Sequence, residues 1–340
     1  MLAGAEWLIP LYDRLHELLL QRDILHADET SLQVLHEPGR EATSKSYMWL
    51  YRTGRGGPPI VLYEYQQTRA REHPKAFFNG FAGRLHADAY AGYDGLPGIT
   101  ISGCWAHARR YFDEALKSQP PRAKGAPPTV GEEGLAFCNK LFEIERDVTP
   151  EERHVGRKQK SRPVINAFKM WLARQAERML PKSALGKAVT YCQNQWAKLL
   201  VYLEDGRLEI DNNRAERSIK PFVIGRKNWL FANTPRGAKA SAIIYSIIES
   251  AKENNLNPYA YLTHLFEQLP NCTTAELDAL LRTPPPCQMA AGCLLRLKYR
   301  ILVGLSVAWM WGGFDGYLFG ITCTKCGDSH PGGDICASEL

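Results

Sequence analysis

At 340 residues, with 45% hydrophobic and 23% charged residues, the chain can bury one large core or two modest ones, and this composition excludes disorder. Its net charge of +6 is matched by residues 214–239 alone, where seven lysines and arginines stand against Glu216; such a patch points to a polyanionic partner, with a solvated helix face as the plain alternative. The N-terminus lacks the basic, apolar and small-residue succession of a signal peptide, so the nine cysteines are expected to be thiols in a reducing cytosol and not a disulfide framework.

Residues 5–21 space leucine and isoleucine three and four apart, which predicts an amphipathic lead-in helix despite Pro10. From 23 to 104 the signals turn to β. The runs "DILHADETSLQVL", "SYMWLYRTG" and "PIVLYEYQ" predict a meander, a helical stretch over 70–81 follows, and "GRLHADAY" and "ITISGCW" add two further strands between Gly- and Pro-containing turns. Strands joined through helices imply an α/β sheet. Residues 105–204 carry helical patterns over 105–117, 132–147, 163–180 and 184–204. They read as a helical insertion, interrupted by "SQPPRAKGAPPT" and the basic "RHVGRKQKSR", both expected to be exposed loops.

Beyond "EDGR", the polar segment "LEIDNNRAERSIKP" predicts a helix starting near Asn212, with Asp211 as its N-cap and Glu216 more than one turn inside. "AKASAIIYSIIESAKENN" and "NPYAYLTHLFEQLP" predict two more helices, the second capped by Asn257 with Pro258 at its first position. "TPPPC" then announces a linker into a tail rich in Cys, Gly and Trp. Its uncharged run "ILVGLSVAWMWGGF", fourteen residues, is shorter than the roughly 18 to 20 that span a bilayer.

Two of the strands share a tetrapeptide, Leu25-His26-Ala27-Asp28 and Leu85-His86-Ala87-Asp88, in which residues two apart share a face, so each His lies beside its Asp. An aspartate inside an apolar strand needs a partner or a metal, unless it merely caps a turn at the strand end. Glu216 is the third candidate, with Asn212 and Asn213 one turn before it and Lys220 one turn after. Two Asp and one Glu make a hard oxygen set suited to Mg²⁺ or Mn²⁺ and poor for Zn²⁺. A pair of such ions serves an in-line displacement at phosphorus, which gives the basic patch a purpose.

Together "HADET", "LHADAYAGYDGL", "CWAHARRYF" and "GRLEIDNNRAERSIKPFVIGRKNWLF" resemble the transposase of the insertion sequence 66 family, a DDE-type transposase with an RNase H-like core, over roughly residues 20–272. The resemblance implies an RNase H-like mixed sheet flanked by helices, with Asp28, Asp88 and Glu216 as the catalytic and metal-binding triad. The 127 residues between Asp88 and Glu216 are accounted for largely by the helical insertion, 119–204, between core segments 23–118 and 205–272.

The same resemblance implies two Mg²⁺ or Mn²⁺ ions, strand cleavage at transposon ends, and attack of the freed 3′-hydroxyl on target DNA. Arg214, Arg217, Lys220, Arg226 and Lys227 would contact phosphates, giving position and salt-dependent affinity. Trp229 is a candidate for stacking on a displaced base, core packing being the commoner role. Cys104 and His107 form a C-x₂-H pair similar to one in several DDE families. Two ligands do not make a structural zinc site, so they are expected to pack or orient the core near the triad.

Two departures from the family pattern stand out. Only about 22 residues precede "HADET", so a truncated copy, or one helped by another polypeptide, is expected; and residues 273–340 form an atypical linker and tail whose Cys323, Cys326, His330 and Cys336 fit no defensible zinc spacing. The expected partners are transposon-end and target DNA, a second copy of the chain on that DNA, and accessory transposition proteins. A remnant that only binds DNA, or another RNase H-like nuclease, is the competing reading. Glu209, seven residues before Glu216, is expected to be dispensable.

Overall fold

The computed structural model describes residues 1–118, 127–273 and 276–282. Runs rich in aromatic and β-branched residues suit a pleated surface buried on both sides. The first three build an antiparallel meander of β1 Ile24–Gln33, β2 Lys45–Thr53 and β3 Val61–Gln66. A short helix, α2 Glu72–Phe77, occupies the middle of the stretch predicted over 70–81. It leads to β4 Gly83–His86 and β5 Ile99–Ser102, which pair in parallel on the other side of β1. The resulting order, β3-β2-β1-β4-β5, is the mixed sheet of an RNase H-like core, as expected.

Side chains alternate across a strand, so each face of this sheet receives its own helices. On one face Leu25, Ala27, Trp49, Tyr51, Leu62 and Leu85 form a core with helix α1 Leu2–Leu20. Leu8, Leu11, Leu15 and Leu19 of α1, three or four apart, supply its buried stripe, with Pro10 inside the helix. On the other face Met48, Leu50, Val61 and Tyr63 pack on Ala215, Ile219 and Phe222 of helix α9 Asn213–Trp229. His26 and Asp28, two apart on β1, fall on this α9 side, since Asp28 stands opposite Leu50 in the β1–β2 register.

The exposed edge of β3 is closed by the helix α10 Pro235–Glu253. Ser246 accepts the Tyr63 backbone N–H at 2.7 Å, and Ser250, one turn later, accepts that of Val61 at 2.9 Å. Polar groups that would otherwise template a neighbouring strand are thereby satisfied. Helix α11 Pro258–Gln268 starts as predicted, the Asn257 side chain accepting from Tyr259 and Ala260 N–H with Pro258 at the first position. A last short helix, α12 Leu277–Arg282, ends the described chain.

The described residues between 105 and 204 are mainly helical, and their apolar residues form a core of their own around Trp105, Phe112, Phe168 and Trp171. It is built by α3 Trp105–Lys117, α4 Val130–Ile144, α6 Arg162–Ala176, α7 Ala184–Asn194 and α8 Trp196–Leu200. The basic stretch "RHVGRKQKSR" is not the exposed loop expected. A capping box of Thr149 and Glu152 starts α5 Pro150–Gly156, and a π-helical turn over Arg157–Ser161 joins it to α6. The turn sends Arg157 inward while Lys158 and Lys160 stay exposed. The buried guanidinium forks onto Glu145 at 2.8 and 2.6 Å and donates to the carbonyls of Asp205 and Leu208 at 2.7 and 2.8 Å. The charge run therefore conceals two arginines, Arg153 and Arg157, and the second ties the helical region to the segment entering α9.

Of the other expected loop, residues 119–126 lie outside the described residues, as do the apolar run 301–314, Cys323, Cys326, His330 and Cys336. Among the described residues no helix is long and apolar enough to cross a membrane.

Candidate active site

The two copies of Leu-His-Ala-Asp lie side by side in register. β1 and β4 run parallel with Leu25 opposite Leu85 and His26 opposite His86, which carries Asp28 and Asp88 to the same end of the two strands. Asp28 Oδ1 accepts from the Glu29 N–H and Asp88 Oδ1, two residues past the end of β4, from the Tyr90 N–H, both at 2.8 Å.

Beneath the aspartates the two imidazoles stack, ring centroids 5.1 Å apart and planes 8° from parallel. His26 Nδ1 lies 2.9 Å from Asn212 Oδ1, and His86 Nε2 lies 2.7 Å from the Glu209 carbonyl. Burial holds both rings neutral, with pKa values lowered to about 3 and about 4. They act as posts that pin the segment 209–212 to β1 and β4. Asn212 completes the joint by donating to the Ala27 carbonyl at 2.8 Å.

That joint decides where α9 begins. The N-cap position of α9 falls on Asn212, whose side chain makes no capping bond because β1 holds it; Asp211, one residue earlier, accepts instead from the Asn213 backbone N–H at 3.0 Å and side-chain amide at 2.7 Å. Glu216 consequently lies on the first turn, nearer the sheet than the expected start placed it. Two groups of α3 flank it, His107 Nε2 at 3.8 Å and Arg110 at 3.6 Å.

Asp28, Asp88 and Glu216 line one cleft of about 270 Å³, together with His107, Arg110, Asn212, Ile219 and Lys220. Burial, followed by the charges of Glu29, Asp88 and Glu216, pushes the Asp28 carboxyl up to about 8. Glu216 Oε1 is buried without a hydrogen-bond partner. Crowded carboxylates with an unpaired oxygen have the composition of a hard-cation site, and the residues present fit Mg²⁺ or Mn²⁺.

The family model described as Transposase IS66 family matches residues 1–240, and that of the IS66 C-terminal element matches residues 246–281. This chain belongs to the IS66 transposase family. The family is one of DDE-type transposases of insertion sequences. Among the chain's relatives are two uncharacterized proteins of Sinorhizobium fredii. One, y4jD, is 32% identical over 82% of this chain and 56% of its own length, and the other, y4hP, is 28% identical over 81% and 53%. The chain thus spans about half the length of the curated relatives it matches. No solved structure matches it.

Within this IS66 chain the five predicted phosphate contacts separate into two groups. Arg217, Lys220 and Lys227 are exposed, and Lys220 reaches the cleft. Arg214 instead pairs with Glu209 at 2.9 Å, and Arg226 donates to Thr30 Oγ1 at 2.9 Å and to the Ser31 carbonyl, clamping α9 to β1. Glu209, expected to be dispensable, has a structural partner on each side. Arg214 and Arg55 both bind it, and despite a burial that works the other way they hold its carboxyl down to about 2. Trp229, half-buried at the end of α9, packs edge-on against Phe222 with centroids 5.3 Å apart, at the margin of the core under that helix.

Three contributors escaped the reading of the transposase sequence. Arg110 stands three residues after His107 on one helix face, a spacing that was available in "CWAHARR". Glu29, adjacent to Asp28 but on the opposite face, is gripped by Arg69 at 2.7 Å and Tyr93 at 2.8 Å. Arg52 of β2 is fully buried, bonding Ser218 of α9 and, at 2.9 Å, Glu253 of α10. The last two draw partners from distant segments, which no local pattern announces. Cys104 and His107 both lie beside Glu216, the buried Cys104 Sγ accepting from the Asn212 N–H at 3.2 Å.

Proposed function

We propose that this chain carries the catalytic centre of a DNA transposase, which cuts strands at transposon ends and joins the freed 3′-hydroxyl to target DNA. The observation that carries the reading is the convergence of Asp28, Asp88 and Glu216, from three separate elements, on one cleft edged by the cations Arg110 and Lys220. Asp28 and Asp88, in register on parallel strands, would hold one ion, and Glu216 would complete the site of a second. Bound there, Mg²⁺ or Mn²⁺ supplies activation of an attacking oxygen and neutralisation of charge at phosphorus.

The chain's own residues do the rest. Arg110 and Lys220 at the cleft draw the scissile phosphate against the carboxylates, and Arg217 and Lys227, exposed on α9, carry the flanking backbone. His26, His86 and Asn212 hold the segment entering α9 against the two strands that carry the aspartates. A second copy of the chain on the DNA, and accessory transposition proteins, belong to the same proposal.

The test is Mg²⁺-dependent cleavage of DNA from the element's own ends by the whole chain and by Asp28→Ala and Glu216→Gln. Cleavage lost in both variants supports the reading. Cleavage that survives both refutes it, and DNA binding without any cleavage by the wild type identifies the chain as a binding remnant.

A further inference from the structure

Beside the hard carboxylates, the wall of the cleft carries a softer donor set. Cys104 caps the N-terminus of α3, His107 lies on the first turn of that helix, and Glu216 faces both from the first turn of α9. One donor atom from each residue, sulfur, ring nitrogen and carboxylate oxygen, lies within 4.8 Å of the other two. The ligand atoms of a tetrahedral zinc ion stand roughly 3.3 to 3.8 Å apart, given bonds of about 2.0 to 2.3 Å. Small side-chain rotations close that difference.

Two further features bear on an ion here. The fully buried Cys104 Sγ accepts the Asn212 backbone N–H at 3.2 Å, a bond that orients the sulfur, while burial pushes the thiol up to about 12, so that a bound ion must displace its proton. Meanwhile Glu216 Oε1 is buried without a hydrogen-bond partner and lies 3.8 Å from His107 Nε2, a costly arrangement that a cation between them would relieve. The set leaves a fourth position for water, the pattern of an open site and not of a closed structural one. A thiol and an imidazole select for Zn²⁺ over Mg²⁺, whereas the aspartates select the reverse.

We propose that Cys104, His107 and Glu216 bind a thiophilic divalent cation of the Zn²⁺ class, and that its binding takes Glu216 from Asp28 and Asp88 and silences strand cleavage. The thiol proton passes to solvent as the metal–sulfur bond forms. The silencing half rests on Glu216 being the third carboxylate of the catalytic set; the binding half does not.

Co²⁺ is the probe, because a cobalt–thiolate bond gives a near-ultraviolet charge-transfer absorption that carboxylate ligation does not. The wild-type chain titrated with Co²⁺ is expected to show this band, and Zn²⁺ to abolish it by displacement. Cys104→Ser and His107→Ala should each reduce it at least fivefold, and Asp28→Asn should leave it intact; circular dichroism confirms that each variant is folded. A band as strong in Cys104→Ser as in the wild type places the metal on other cysteines and overturns the site, as does the absence of any band. In the cleavage assay Zn²⁺ added against excess Mg²⁺ should inhibit the wild type, and cleavage indifferent to Zn²⁺ overturns the switch. A Cys104-dependent band in a chain that cleaves no DNA upholds the metal site while removing the catalytic reading.

Discussion

Single residues around the cleft divide into those that carry chemistry and those that hold them. Asp28, raised from its ordinary value of 3.8 to about 8, keeps a proton in the folded chain that the unfolded chain releases above about pH 4. Its contribution is therefore favourable at low pH and is lost as pH rises toward 8. In chelator, Asp28→Asn is expected to melt above the wild type at pH 8, with the gap closing toward pH 4; equal melting temperatures at pH 8 would show that the carboxyl is not crowded. Arg226 and Arg217 make a matched pair for the opposite distinction. Arg226→Ala breaks the clamp on Thr30 and Ser31 and should cost roughly 1–3 kcal/mol in urea unfolding. Arg217→Ala should leave stability within about 0.5 kcal/mol and reduce the salt slope of DNA binding by about one.

At the scale of elements, most of the fold was legible because its signals are local. The aromatic runs gave the strands, the repeated Leu-His-Ala-Asp marked the paired parallel strands, and Asn257-Pro258 marked a helix start. Charge misled where it was read as exposure. Arg157 lies in a stretch of Lys, Gln and Arg, yet its carboxylate partner is Glu145, twelve residues away, and its carbonyl acceptors come from residues 202–208. Glu145→Ala leaves that guanidinium buried and uncompensated, and a loss of about 3–5 kcal/mol is expected in chemical unfolding. A loss under about 1 kcal/mol would show that the pair is solvated. The start of α9 was misjudged by one residue for a related reason: the side chain of Asn212 is engaged by a strand nearly two hundred positions earlier, so a local capping rule could not place it.

Over the whole molecule, a five-stranded sheet, helices on both its faces and a helical region with its own core meet at the cleft. β1 and β4 bring the aspartates, α9 brings Glu216, and α3 brings the groups around Glu216 while packing into the helical region. That convergence joins residues 28, 88, 107 and 216, and the family motifs pointed to it where spacing alone did not. The proposal built on it is that the three carboxylates act as one hard-cation centre, and Mn²⁺ binding to the whole chain, followed by electron paramagnetic resonance, tests this without requiring a DNA substrate. Asp28→Asn, Asp88→Asn and Glu216→Gln are each expected to weaken Mn²⁺ binding at least tenfold, while Glu204→Gln, on an acid that pairs with Arg84 outside the cleft, should not. Wild-type affinity retained in all three triad variants, or an equal loss in Glu204→Gln, would contradict a shared centre.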